Sequence, residues 1–168
     1  MRWGLVGRKG LLFFALVVLA ASGCGTNRVG VRLHEAVSDI STEVHLVGVT
    51  EQEHQRWAYY SLSKYFAPRD PLYESATDLG YAYVMKFGRG QPDVQNPSVH
   101  NPEEWDRVTE RWAQRGADYV FVLANLPGFA DRPAEQDPRR LIVDIPGKPV
   151  YVLITKGGLI RATPPSGG

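Results

Sequence analysis

The sequence predicts a mainly β fold: an antiparallel two-layer β-sandwich with a helical insertion. Three observations predict it. Short runs rich in β-branched and aromatic residues recur along the chain, five or six in all. Helical periodicity is confined to two stretches, one opening near Thr50 and one near Asn101. Strands and helices do not alternate regularly, which argues against a parallel sheet. Stacked antiparallel sheets are then the economical way to bury the apolar faces.

The elements follow in order. Thr42 to Thr50 (TEVHLVGVT) is apolar on both sides of the alternation, which suits a strand covered on both faces. Thr50 and Glu53 have the spacing of a capping box, a hydroxyl followed three residues on by a carboxylate. The helix it opens is expected to run to about Tyr65 and to end before Pro68 and Pro71, with a further turn over Leu72 to Leu79. Tyr81 to Phe87 reads as a strand with Tyr81, Tyr83, Met85 and Phe87 on one face. Residues 88–102, punctuated by Gly88, Gly90, Pro92 and Pro97, read as a loop.

The second helix has the clearest signals. Asn101 stands at the cap, Pro102 at the first position, and Glu103 and Glu104 at the positive end of the dipole. Trp105, Val108 and Trp112 form one apolar stripe, and Gly116 is the stop. Tyr119 to Leu126 is a central-strand pattern, and Pro127 to Pro138 a long polar loop. Arg139 to Ile145 and Val150 to Thr155 are further strands. Gly157-Gly158 turns the chain into a hairpin with Leu159 to Ala162.

The beginning of the chain differs from the rest. Arg2, Arg8 and Lys9 precede an uncharged run from Leu11 to Ala21, and Ser22 and Gly23 lead into Cys24. A positive start, an apolar stretch and small residues are the order of a secretory signal, and the run is too short for a permanent membrane span. Cys24 is the only cysteine, so no intramolecular disulfide forms. Ala21-Ser22-Gly23-Cys24 resembles the lipobox of bacterial lipoproteins, with Ala21 where Leu is commonest. That resemblance implies cleavage after Gly23 and acylation of Cys24, and it implies a membrane partner. Two or more acyl chains hold a protein stably at a bilayer. Gly25 in place of an aspartate points to the outer membrane, with the protein facing the periplasm. The expected organisation is a signal over residues 1–23, a lipidated tether over 24–41, the domain over 42–163 and a frayed tail over 164–168.

All eighteen acidic residues and sixteen of the nineteen basic ones lie beyond Cys24, so the mature part carries about two net negative charges. That charge argues against a nucleic-acid partner. The chemistry-bearing residues do not assemble into a known catalytic pattern. His34, His45, His54 and His100 form no metal-ligand pair, and Asp131, Asp137 and Asp144 lack calcium-loop spacing. No cofactor is called for. Ser61-Leu62-Ser63-Lys64 matches S-x-x-K, but it falls where a helix is expected to end, and its companion motifs are missing. The sequence therefore predicts a protein that binds rather than an enzyme.

Two segments are candidates for binding. The loop Pro127 to Pro138, with the arginines that follow it, offers Asp131, Arg132, Glu135, Asp137 and Arg139 on a rigid scaffold. The aromatic segment 57–73, with Trp57, Tyr59, Tyr60, Tyr65, Phe66 and Tyr73, offers a stacking platform for cell-wall glycans. Against the platform, Trp57 and Tyr60 are expected to pin the helix to the sheet, with Tyr59 and Tyr65 half exposed.

Three stretches carry a family resemblance: Glu43 to Val49, Ala117 to Ala124, and the run from Arg139 to Ala162. In their order and strand character they resemble the outer-membrane lipoprotein of the type VI secretion system, the TssJ (SciN) family. The resemblance implies a transthyretin-like sandwich with a helical addition. It also implies an anchoring role without an active site, recruiting the large inner-membrane subunit of the secretion complex.

Overall fold

The computed structural model describes residues 29–133, 136–145 and 147–163. The signal segment, Cys24, Glu135 and the tail over 164–168 lie outside the described residues.

Two four-stranded sheets form the frame. One has the order β3 (Ala82–Phe87), β2 (Thr42–Val49), β5 (Tyr119–Ala124) and β6 (Arg140–Asp144), antiparallel throughout. The other has the order β4 (Val94–Gln95), β1 (Val29–Leu33), β7 (Val150–Thr155) and β8 (Gly158–Ala162). Its central pair, β1 with β7, is parallel, so the expected all-antiparallel sheet is corrected at that pair. The cause is β1 itself. Val29, Val31 and Leu33 alternate inward, and the chain enters the domain at Val29 rather than at Thr42. Residues 29–33 of the expected tether are therefore a central strand, followed by a 3-10 turn over Glu35–Val37.

Helix and strand claim similar shares of the described residues, so the fold is a β-sandwich with a substantial helical layer rather than mainly β. The helix expected from Thr50 to about Tyr65 is two, α1 (Glu51–Tyr59) and α2 (Leu62–Tyr65), and the further turn expected over Leu72 to Leu79 is α3 (Pro71–Asp78). The capping box of Thr50 and Glu53 is in place. The break at Tyr60 has an identifiable cause. The Arg140 guanidinium donates to the carbonyls of Ala58 and Tyr60, and the Ser61 hydroxyl accepts from the Lys64 N–H to start the next helix. The expected loop over 88–102 contains β4 and a short helix, α4 (Pro97–His100).

Helix α5 (Pro102–Arg115) has the expected bounds and ends on Gly116 at φ 68°, a left-handed conformation that glycine adopts without penalty. Asn101 stands at its cap without accepting a helix N–H; its side-chain amide instead donates to Glu104. Trp105, Val108 and Trp112 are buried as the stripe predicts.

The first sheet is covered on both faces. His45, Val47 and Phe121 face the helices α1 to α3, through contacts of His45 with Tyr65 and of Phe121 with Trp57. Leu46, Gly48, Val120 and Val122 face the other way, toward α5 and the second sheet. The second sheet turns Val29, Val31, Val152 and Ile154 into this core.

The strand ends define two poles. Val29 pairs with Val150 and Tyr151 with Ala162 at one pole. At the other, Leu33 pairs with Ile154, and the Leu159 N–H donates 2.7 Å to the Pro138 carbonyl, which ties β8 to the loop leading into β6. The loop 125–139 therefore opens at the pole opposite to where β1 begins.

Candidate interaction surfaces

The polar loop is pinned rather than free. The Arg139 guanidinium donates to Asp137 through Nε at 2.9 Å and Nη2 at 2.7 Å, to Asp131 at 2.6 Å, and to the Ser63 hydroxyl at 3.1 Å. Asp131 also accepts from the Ser61 hydroxyl and from the Ser63 N–H. Arg139 is 4% exposed and Asp137 3%, so neither is available to a partner. This corrects the expectation that both belong to the recognition surface. A buried charge must be paired, and this guanidinium finds two carboxylates.

Burial pushes the Asp137 carboxyl up, but the hydrogen bonds and charge of Arg139 outweigh it and hold the group below the usual carboxylate range. Asp131 behaves alike: burial raises it, and the bonds from Ser61, Ser63 and Arg139 carry it well below. Of the expected site residues, Asp131 and Arg132 stand exposed, Asp131 held by its bonds and Arg132 beside Pro127, Gly128, Ala130 and Pro133 at the tip. Glu135 lies outside the described residues.

The S-x-x-K match also changes context. Ser61 opens α2 rather than ending a helix. Its hydroxyl donates to Asp131, and the Lys64 ammonium lies over the Tyr60 ring, 5.2 Å from its centroid.

The aromatic segment is interior. Trp57 and Tyr65 are fully buried, while Tyr60, Phe66 and Tyr73 are half-buried against the core. Tyr59 is the exposed member. A glycan platform over 57–73 is therefore corrected: the rings pack on His45 and on one another. Tyr65 and Phe66 meet His45 edge-on, with centroids 5.5 and 5.4 Å away, and Tyr73 lies tilted at 5.0 Å.

The sequence reading missed the outer face of the second sheet. Gly30 and Arg32 of β1, Val94 of β4, Tyr151 and Leu153 of β7, and Ala162 of β8 line an open groove of about 530 Å³ there. Asn96 and Thr163 stand at its rim. Gly30 suits the close approach of a ring. A Cβ at that position would lie 3.0 Å from the Tyr151 ring, which rests over the bare backbone. The alternation of Val29, Val31 and Leu33 was the available signal.

Among the described residues no helix is long and apolar enough to cross a membrane. Comparison with protein-family models and with curated proteins found no match. Among solved structures the chain is similar to Serratia marcescens Lip, described as a membrane-bound component of the type VI secretion system. The two share 9% identity with a TM-score of 0.44, over 82% of this chain and 97% of that one.

Proposed function

We propose that the protein is a lipid-anchored component of the bacterial envelope that binds a partner rather than catalysing a reaction.

 It acts by presenting a folded domain to a protein partner and holding that partner at the membrane. The observation that carries this reading is the spacing of Cys24 from the fold. β1 begins at Val29, five residues beyond Cys24, a reach of at most about 17 Å. The pole where β1 begins is thus kept beside the bilayer, and the loop 125–139 opens at the other pole. A loop pinned by Arg139 and exposed at its tip is a preorganised contact surface, which lowers the ordering cost of binding.

The resemblance of Glu43 to Val49, Ala117 to Ala124 and Arg139 to Ala162 to the type VI lipoprotein family supports naming that apparatus as the assembly served. In that assignment the membrane is the outer membrane and the partner an inner-membrane secretion subunit.

The test uses the tip and spares the pinning residues. Ala130→Glu with Arg132→Glu should leave thermal unfolding unchanged and remove the envelope proteins that co-purify from solubilised membranes. Partners retained at wild-type levels would overturn the assignment of the tip.

A further inference from the structure

The groove on the second sheet runs from the tethered pole, at Gly30 and Ala162, to the row of Arg32, Val94 and Leu153, one residue short of the Leu33–Ile154 pair. Gly30 is the second residue of β1, and Ala162 and Thr163 are the last described residues of the chain. From the geometry we infer that this open sheet face is a membrane-contact surface, seated on the leaflet that holds the acyl chains of Cys24. The inference rests on the lipoprotein reading above.

Three observations point to a lipid surface as the occupant. The first is reach: the residues between Cys24 and Val29 are too few to lift the domain clear of the headgroup layer, whose interfacial region adds several ångströms to each side of the hydrocarbon core. The second is the placement of exposed apolar side chains. Of the five large ones among the described residues, Tyr59, Leu79, Val94, Val99 and Ile160, two lie on this face. Val94 and Ile160 flank Arg32 and Leu153 in one row across the sheet.

The third is the chemistry of the lining. It holds one cation, Arg32, and no carboxylate, and Arg32 makes no salt bridge among the described residues. Tyr151 adds a ring with a polar tip. An arginine, a tyrosine and aliphatic neighbours suit the headgroup boundary, where the guanidinium meets lipid phosphates and the apolar bodies meet the upper acyl region.

The experiment uses the mature chain from residue 24 with Cys24→Ser, so that neither the signal nor acyl chains contribute. It is sedimented with vesicles of phosphatidylethanolamine and phosphatidylglycerol. Binding is expected to weaken as salt rises. Arg32→Glu and Val94→Asp, both at exposed positions, should each reduce partition roughly ten-fold, with Arg32→Gln intermediate. Matching melting temperatures establish that the variants fold. No sedimentation of the parent, or equal partition of parent and variants, overturns the inference. So does a groove whose variants lose an envelope protein while vesicle binding is untouched. Palmitate labelling of the wild-type chain separates the two readings: label without vesicle binding defeats this inference alone, and vesicle binding without label defeats the lipoprotein reading alone.

Discussion

Trp112 rests its indole directly on Gly48: a Cβ built on that glycine would lie 2.2 Å from Trp112 Cδ1. The same ring donates its Nε1–H to the Tyr81 carbonyl at 2.7 Å, so α5 is fixed to the first sheet by shape and by a hydrogen bond. Gly48→Ala should force the ring outward and destabilise the domain by roughly 1–3 kcal/mol or more. Trp112→Ala should cost roughly 3–5 kcal/mol, as for a buried large aromatic. Urea unfolding measures both. A Gly48→Ala variant as stable as wild type would show that the ring can move freely.

Arg139 should govern stability in acid. Asp131 and Asp137 both titrate lower in the folded state than their ordinary value. Groups depressed on folding contribute stability that is present above the unfolded carboxyl pKa, near 3.9, and lost as pH falls through the folded value. The domain should therefore lose stability as pH drops below about 4. Arg139→Ala leaves the Asp137 carboxylate buried without its partner and should cost roughly 3–5 kcal/mol at neutral pH. Its acid limb should also be shallower, which urea midpoints from pH 7 down to pH 2 would show.

His45 should be structural. Its Nε2 lies 2.6 Å from Glu43 Oε1 and its Nδ1 2.8 Å from the Tyr65 hydroxyl. Both bonds are made when Nε2–H donates to the carboxylate and Nδ1 accepts from the phenol, an assignment drawn from the hydrogen-bond pattern. The bond to His45 in turn lowers the Glu43 carboxyl against the opposing effect of burial, and burial raises the Tyr65 phenol. His45→Leu leaves the buried Tyr65 hydroxyl without a partner, at a cost of roughly 1–3 kcal/mol. Adding Tyr65→Phe should recover part of that loss in chemical denaturation.

What was legible in the sequence was local. The bounds of α5 follow from Pro102, the glutamates and Gly116, and the start of α1 from Thr50 and Glu53. The strands β2, β5 and β7 follow from their β-branched runs. What was hidden was decided by distant partners. β1 is short and flanked by polar residues, and pairing with β4 and β7, both far along the chain, makes it a strand. The end of α1 depends on Arg140, whose target carbonyl at Tyr60 is 80 residues away. The charges around the polar loop read as a solvated surface until Ser61 and Ser63 are brought beside Asp131 and Arg139. The groove escaped notice because β1 did.

Replacing Asp131 to Gln136 with a short Gly/Ser linker should destabilise the domain, because Asp131 joins the loop to α2. The melting temperature should fall by roughly 5–10 °C, the shift expected for a few kcal/mol in a domain of this size. Changes confined to Ala130 and Arg132 should leave it unmoved. Equal effects of the two sets in differential scanning fluorimetry would mean that the loop is not pinned through Asp131.

The anchoring claim is tested most directly by metabolic labelling with radioactive palmitate in cells expressing the wild-type chain or Cys24→Ser. The account predicts label on the wild-type protein and none on the variant, because Cys24 supplies the only thiol in the sequence. Label retained by the variant, or a wild-type chain that takes up none, would contradict it.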